Sequence, residues 1–131
     1  GVEWLRRIRM IGRDAEMDTS FAIAVEPLVR RQIFVTEEQA ARELVRDYVL
    51  RQVTSLQREV ARFERKYGMH FERFGEYLHE RSTLLEASPL EPGQRQALGQ
   101  AVMREEDDWL DWKAAQEMLD SWLGVRREVA A

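Results

Sequence analysis

The segment from Thr36 to Tyr67 constrains this chain more than any other, because it predicts one long, uninterrupted helix. Thr36 suits the N-cap, and Gln39 stands three residues later, which is the spacing of a capping box. No glycine or proline follows until Gly68, which supplies a left-handed stop. A helix of about 32 residues is roughly 48 Å long. We therefore expect a monomer of 131 residues to leave part of this helix uncovered.

Apolar residues on the long helix repeat in alternating steps of four and three, which is the spacing of a heptad seam. They are Val49, Val53, Leu56, Val60, Phe63 and Tyr67. Two interpretations remain open. The seam packs on the chain's own C-terminal helix, or it pairs with a second copy. The second interpretation predicts a homodimer with its interface at Val49, Val53, Leu56, Val60 and Phe63.

The residues before the long helix predict a single strand followed by a short helix. From Asp18 to Val25, the apolar residues Phe21, Ile23 and Val25 alternate with small or polar ones, a period of two. A lone strand needs a partner for its backbone groups. We expect it to pair with its copy in a dimer or with an edge of another protein. Pro27 then suits the first turn of the short helix.

The N-terminal segment, Val2 to Glu16, predicts an amphipathic helix. One face carries Trp4, Leu5, Ile8 and Ile11, and the other carries the candidate phosphate contacts Arg6, Arg7, Arg9 and Arg13. The three acids of this segment reduce its net charge to 4 − 3 = +1. That charge is weak for a lipid or phosphate anchor, so the pattern favours a docked helix with a solvated charged face.

Two further helices are predicted after Gly68, at about His70 to Ala87 and Pro92 to Val125, with a proline-rich loop between them. A second apolar seam on the last helix can fold back antiparallel on the long helix. The predicted fold class is mainly α, with one short N-terminal strand pairing between subunits and a long helix folding into a C-terminal helical hairpin. The chain is predicted to have three regions: an N-terminal amphipathic helix at 1–16, a dimerisation module of strand, short helix and long helix at 17–67, and a C-terminal helical region at 68–131.

Composition and motifs argue against several classes of function. The chain has no cysteine, which excludes disulfides and thiolate metal sites. No apolar run approaches the roughly 18 residues of a membrane span, and no signal-peptide core begins the chain. We therefore expect a cytoplasmic protein that does not bind membranes. No catalytic motif appears, so we expect neither enzymatic activity nor a cofactor.

Acids and tryptophans are concentrated in residues 105–112, here called the acidic tryptophan segment. It contains Glu105, Glu106, Asp107, Asp108, Trp109, Asp111 and Trp112. A metal site is disfavoured, because the Glu-x-x-His element of di-iron bundles is missing. Two interpretations remain open: a solvated face beside buried tryptophans, or a surface for a basic partner. Tryptophan is enriched in binding hot spots, and acids speed encounter with a positive partner.

The predicted order of strand, short helix and longer helix resembles the ribbon–helix–helix module. The runs FERKYGMHFERF at 63–74 and EEDDWLDW at 105–112 resemble those of small prokaryotic antitoxin-like proteins. This resemblance implies a dimer that covers the basic face of a small ribonuclease-type toxin. The alternatives are a ribbon–helix–helix DNA-binding repressor and a structural helical scaffold. The exposed strand face would be Ser20, Ala22 and Ala24, whose side chains make no bidentate base contacts, so DNA binding is expected to be weak or absent.

Overall fold

The computed structural model describes residues 20–87 and 89–130, and within this part the protein is helical. Four helices cover 89% of these residues, which contain no strand. The described part of helix α1 covers residues 20–30, and α2 (Glu37–Tyr67), α3 (Phe71–Ala87) and α4 (Pro92–Ala130) follow. The prediction of a mainly α fold is confirmed. No described helix has the length and apolar character needed to cross a membrane.

The predicted strand is wrong for residues 20–25, because these residues lie in α1. Phe21 and Ile23 are 39% and 71% exposed, whereas Val25 is buried. The three therefore do not share one covered face, as the period of two required. The covered positions are instead spaced for a helix. They are Ala22, Val25, Leu28 and Val29. Asp18 and Thr19, like the predicted helix Val2 to Glu16 and its arginines, lie outside the described residues.

Helix α1 contains Pro27 in its interior and ends in a left-handed residue. Gln32 has a φ of 62°. Its N–H donates to the Val29 carbonyl at 3.0 Å, and the Ile33 N–H donates to the Leu28 carbonyl at 2.9 Å. This pair of bonds is the Schellman arrangement that satisfies free carbonyls at a helix end. The prediction that Pro27 begins a helix is wrong, because residues 20–26 before it are already helical.

Both predicted ends of the long helix are confirmed. The Gln39 N–H donates to Thr36 Oγ1 at 3.1 Å, and the Val35 N–H donates to Gln39 Oε1 at 2.8 Å. At the other end Gly68 has a φ of 66°, and its N–H donates to the Glu64 carbonyl at 2.7 Å. The helix between these signals has 31 residues.

The heptad seam of α2 lies in the core of its own chain. The chain divides into two compact units between Tyr48 and Val49, and this core belongs to the second unit. Its members come from α2, α3 and α4: Val49, Val53, Leu56, Val60, Phe63, Phe74, Leu78, Trp112, Ala115 and Leu119. The five α2 residues among them are each at most 8% exposed. They are core residues of one chain and not a surface left open for a second copy.

The order of contacts shows how α4 meets the other two helices. Phe71 stacks on Trp109 with ring centroids 5.7 Å apart, and Arg81 lies 3.0 Å from Glu105. Residues later in α3 contact residues earlier in α4, so these two helices form an antiparallel hairpin. The last turns of α2 also run antiparallel to α4. Phe63 contacts Trp112, and the later residue Lys66 contacts Asp108, which lies earlier in α4.

Candidate functional site

Trp112 is the innermost residue of the acidic tryptophan segment. It is 0% exposed, and rings from α2 and α3 surround it. The Phe63 ring stacks on it at a centroid distance of 5.6 Å, and the Phe74 ring lies 5.4 Å away. The predicted role of Trp112 as a partner contact is therefore wrong in this fold, because no partner reaches its side chain without opening the core.

Trp109 is half-buried and fills the space between α3 and α4. It stacks on Phe71 at an interplanar angle of 17°. The Lys113 ammonium lies 5.3 Å from its ring centroid, which is within reach of a cation–π contact. Its Nε1 atom lies 3.4 Å from where a Cβ at Gly75 would be. A small residue at 75 thus allows the tryptophan to approach α3, and only part of its ring faces solvent.

Two acids of the segment point inward and tie α4 to its neighbours. Glu105 accepts a hydrogen bond from Arg81 at 3.0 Å, and both side chains are mostly buried. Asp108 lies 2.5 Å from the Lys66 ammonium and accepts a hydrogen bond from the Tyr67 hydroxyl. Removing the partner of a mostly buried acid destabilises the fold, because it leaves a charge away from water without compensation. These two carboxylates therefore serve the structure.

The pKa values of the Asp108–Tyr67 pair move in opposite directions. Burial is the largest influence on the pKa of Asp108 and raises it, but the hydrogen bonds from Lys66 and Tyr67, together with the charges of Lys66 and Arg62, lower the net pKa. The pKa of Tyr67 is raised, first by burial and then by its bond to the Asp108 carboxylate. At neutral pH the carboxylate is thus held ionised and the phenol neutral.

An open cleft of about 450 Å³ lies beside the hydrogen bonds of Asp108, between the end of α2 and α4. It is lined by Lys66, Tyr67, Ala101, Arg104, Glu105, Asp107 and Asp108. Charges of both signs line it, and its Glu105 carboxylate has one buried oxygen, Oε2, without a hydrogen-bond partner. Within residues 20–87 and 89–130, no group of three His, Cys, Asp or Glu side chains is arranged to hold a metal ion.

The other three acids of the segment, Glu106, Asp107 and Asp111, are exposed. We call them the outer acidic face. No ion pair within the described ranges involves them, in contrast to Glu105 and Asp108. Of the predicted partner contacts, these three are the charged groups that remain available to another molecule.

The structure also locates partners of the inward acids that the sequence did not indicate. Arg81, Lys66 and Tyr67 bind the inward acids, although they lie 24, 42 and 41 residues away in the chain. No periodicity links such distant residues, so no sequence signal indicated them. Met103 and Leu110 are exposed apolar residues on α4, and their spacing of seven was visible in the sequence.

No protein-family model, curated protein or solved structure matches this chain. Its function is therefore inferred from its own residues and their geometry.

Replacing Trp112 tests its role as the centre of the core. We expect Trp112→Ala to lower the free energy of unfolding by about 3–5 kcal/mol, because it removes a large buried ring and leaves a cavity. Trp112→Phe should cost much less, since it keeps a ring and removes the buried Nε1 donor, which lacks a partner. Urea denaturation measures both. Leu110→Ala is the control at an exposed position, and a loss there equal to that of Trp112→Ala would contradict the assignment.

The Asp108–Tyr67 bond predicts a specific response to acid. Because the folded pKa of Asp108 is lowered, its contribution to stability is present above the unfolded pKa of about 3.9 and is lost as pH falls through the folded value. In Tyr67→Phe one of the two lowering bonds is removed, so the Asp108 pKa should rise. Carboxyl NMR titration of both proteins measures this. An unchanged Asp108 pKa would show that the hydroxyl does not stabilise the carboxylate.

Proposed function

We propose that this protein is a non-catalytic, antitoxin-type inhibitor that covers the basic face of a small toxin-like protein. The observation that carries the proposal is the division of the acidic tryptophan segment. Its inward acids are paired within the fold, whereas the outer acidic face, Glu106, Asp107 and Asp111, is exposed and unpaired among the described residues. The resemblance of residues 63–74 and 105–112 to antitoxin-like proteins supports the class of partner.

The charge distribution supports a basic partner. Residues 88–131 contain 5 basic and 9 acidic residues, a net charge of 5 − 9 = −4, which equals the net charge of the whole chain. An acidic surface accelerates encounter with a positive partner, and this acceleration weakens as salt increases. In the proposed complex the outer acidic face meets the partner first, and Trp109 contributes only the exposed part of its ring.

The helix at residues 20–25 counts against the alternative of a ribbon–helix–helix repressor, because that module needs a strand there. A homodimer remains part of the proposal, with a different basis. Its candidate contacts are Phe21 and Ile23 on α1, which are 39% and 71% exposed. Residues two apart on a helix point to different sides, so we take Ile23, the more exposed of the two, as the main contact.

Neutralising the outer acidic face tests the inhibitor proposal. The variant Glu106→Gln, Asp107→Asn, Asp111→Asn should lower the rate of association with a basic protein encoded beside this one by roughly tenfold and flatten its salt dependence. The dissociation rate and the melting temperature should change little. Surface plasmon resonance at several salt concentrations measures the rates.

The matched control removes three exposed acids elsewhere: Glu43→Gln, Glu86→Gln and Glu128→Gln. It changes the net charge by the same amount, so it separates local from overall charge. If both triple variants slow association equally, the outer acidic face is not the binding surface. If neither does, or if no basic neighbour binds, the inhibitor proposal fails.

Light scattering tests the homodimer. At micromolar concentration the wild-type mass should be about twice 15.5 kDa, and Ile23→Asp should reduce it to that of one chain. Ile23 is largely exposed, so this change should leave the fold intact by circular dichroism. A wild-type protein that remains monomeric would contradict the dimer.

A further inference from the structure

The outer side of α4 carries apolar side chains as well as acids. Met103, Leu110 and Met118 are 67%, 56% and 53% exposed, and Ala114 is also exposed. Residues seven apart on a helix lie nearly in line, so Leu110 follows Met103, with Ala114 one turn further. We call Met103, Leu110, Ala114 and Met118 the outer stripe. It lies on the side of α4 opposite Trp112 and the core.

Acids flank the outer stripe on both sides. At 100° per residue, Glu106 and Glu117 lie along one side and Asp107 and Asp111 along the other, and all four are exposed. The nearest bases, Arg104 and Lys113, stand at the edges of this surface. The Lys113 ammonium is directed toward the core side, since it lies 5.3 Å from the Trp109 ring centroid. Met103, Leu110 and Ala114 thus form an apolar line between two negative borders, and Met118 extends it on the side of the two aspartates.

We propose that the outer stripe binds a basic amphipathic helix of the partner. The apolar side chains of that helix would pack on Met103 and Leu110, and its Arg or Lys side chains would pair with the flanking acids. This inference rests on the proposed function and names the element that the partner presents. From Met103 to Met118 the stripe is about 22 Å long, which matches roughly four turns of a second helix.

The chemistry of the surface favours this occupant over others. Helix-to-helix recognition uses apolar anchors at i, i+3, i+4 and i+7, and the steps from Met103 to Leu110 to Ala114 follow that spacing. Methionine adapts its shape to a partner, and the small Ala114 lets another backbone come close. A second copy would oppose the same four carboxylates, and nucleic acid would bring phosphates, so like charges disfavour both.

A designed peptide probes the stripe without the natural partner. It has 18 residues, a leucine seam at helical spacing and arginines on both flanks, and its control replaces every arginine by glutamate. Fluorescence anisotropy with the full chain should show micromolar binding of the arginine peptide and none of the glutamate peptide. Leu110→Ala and Met103→Ala should each raise the Kd by about tenfold, since anchor residues dominate such contacts.

Leu84→Ala is the matched control, because Leu84 is 52% exposed on α3 and lies outside the stripe. It should leave the Kd unchanged. Equal binding of the arginine peptide to wild type and Leu110→Ala would overturn the inference, as would an oligomer of wild type that Leu110→Ala dissociates. Circular dichroism of each variant ensures that a loss of binding is not a loss of fold.

The same variants separate this inference from the proposed function. If the outer acidic face controls association with a basic neighbour but Met103→Ala and Leu110→Ala leave dissociation unchanged, the inhibitor proposal stands and the helix-binding inference fails. If the arginine peptide binds at the stripe while no encoded neighbour binds, the helix-binding inference stands and the inhibitor proposal fails.

Discussion

The second unit depends on the burial of one side chain, Trp112, where α2, α3 and α4 meet. Its ring contacts Phe63 and Tyr67 of α2 and Phe71 and Phe74 of α3. Aromatic pairs contribute about 0.5–1.5 kcal/mol beyond the area that they bury. Because one ring touches both other helices, it fixes the rotation of α4 about its own axis. That rotation decides which residues of the acidic tryptophan segment face the protein and which face solvent.

The inward and outward acids follow from that rotation. Glu105 and Asp108 lie seven and four residues before Trp112, so they share its side of α4 and meet Arg81 and Lys66. Glu106 and Asp107 are turned away, because each step along the helix rotates a side chain by about 100°. A run of acids that looks uniform in the sequence is therefore two sets of groups, one paired within the fold and the other exposed.

Local signals explain what the sequence predicted correctly. The ends of α2 were predictable because Thr36, Gln39 and Gly68 act within a few residues of the ends. The strand was a wrong prediction because six residues are too few to distinguish the two-residue period of a strand from the 3.6-residue period of a helix. The covered positions Ala22 and Val25 continue into the helical spacing of the residues that follow. The inward acids were beyond prediction, because their partners lie more than twenty residues away in the chain.

Helix α4 has two faces, and in the proposed complex they separate stability from binding. Its inner face supplies Val102, Trp112, Ala115 and Leu119 to buried positions, and its outer stripe contributes little to the folded core. Substitutions on the outer side should therefore have a small effect on the fold, since exposed positions usually change stability by less than about 0.5 kcal/mol. A well-packed inner face also holds α4 in one geometry, which lowers the entropy cost of binding the proposed partner helix. In the proposed complex, the buried tryptophan supports the outer stripe from the opposite side of α4.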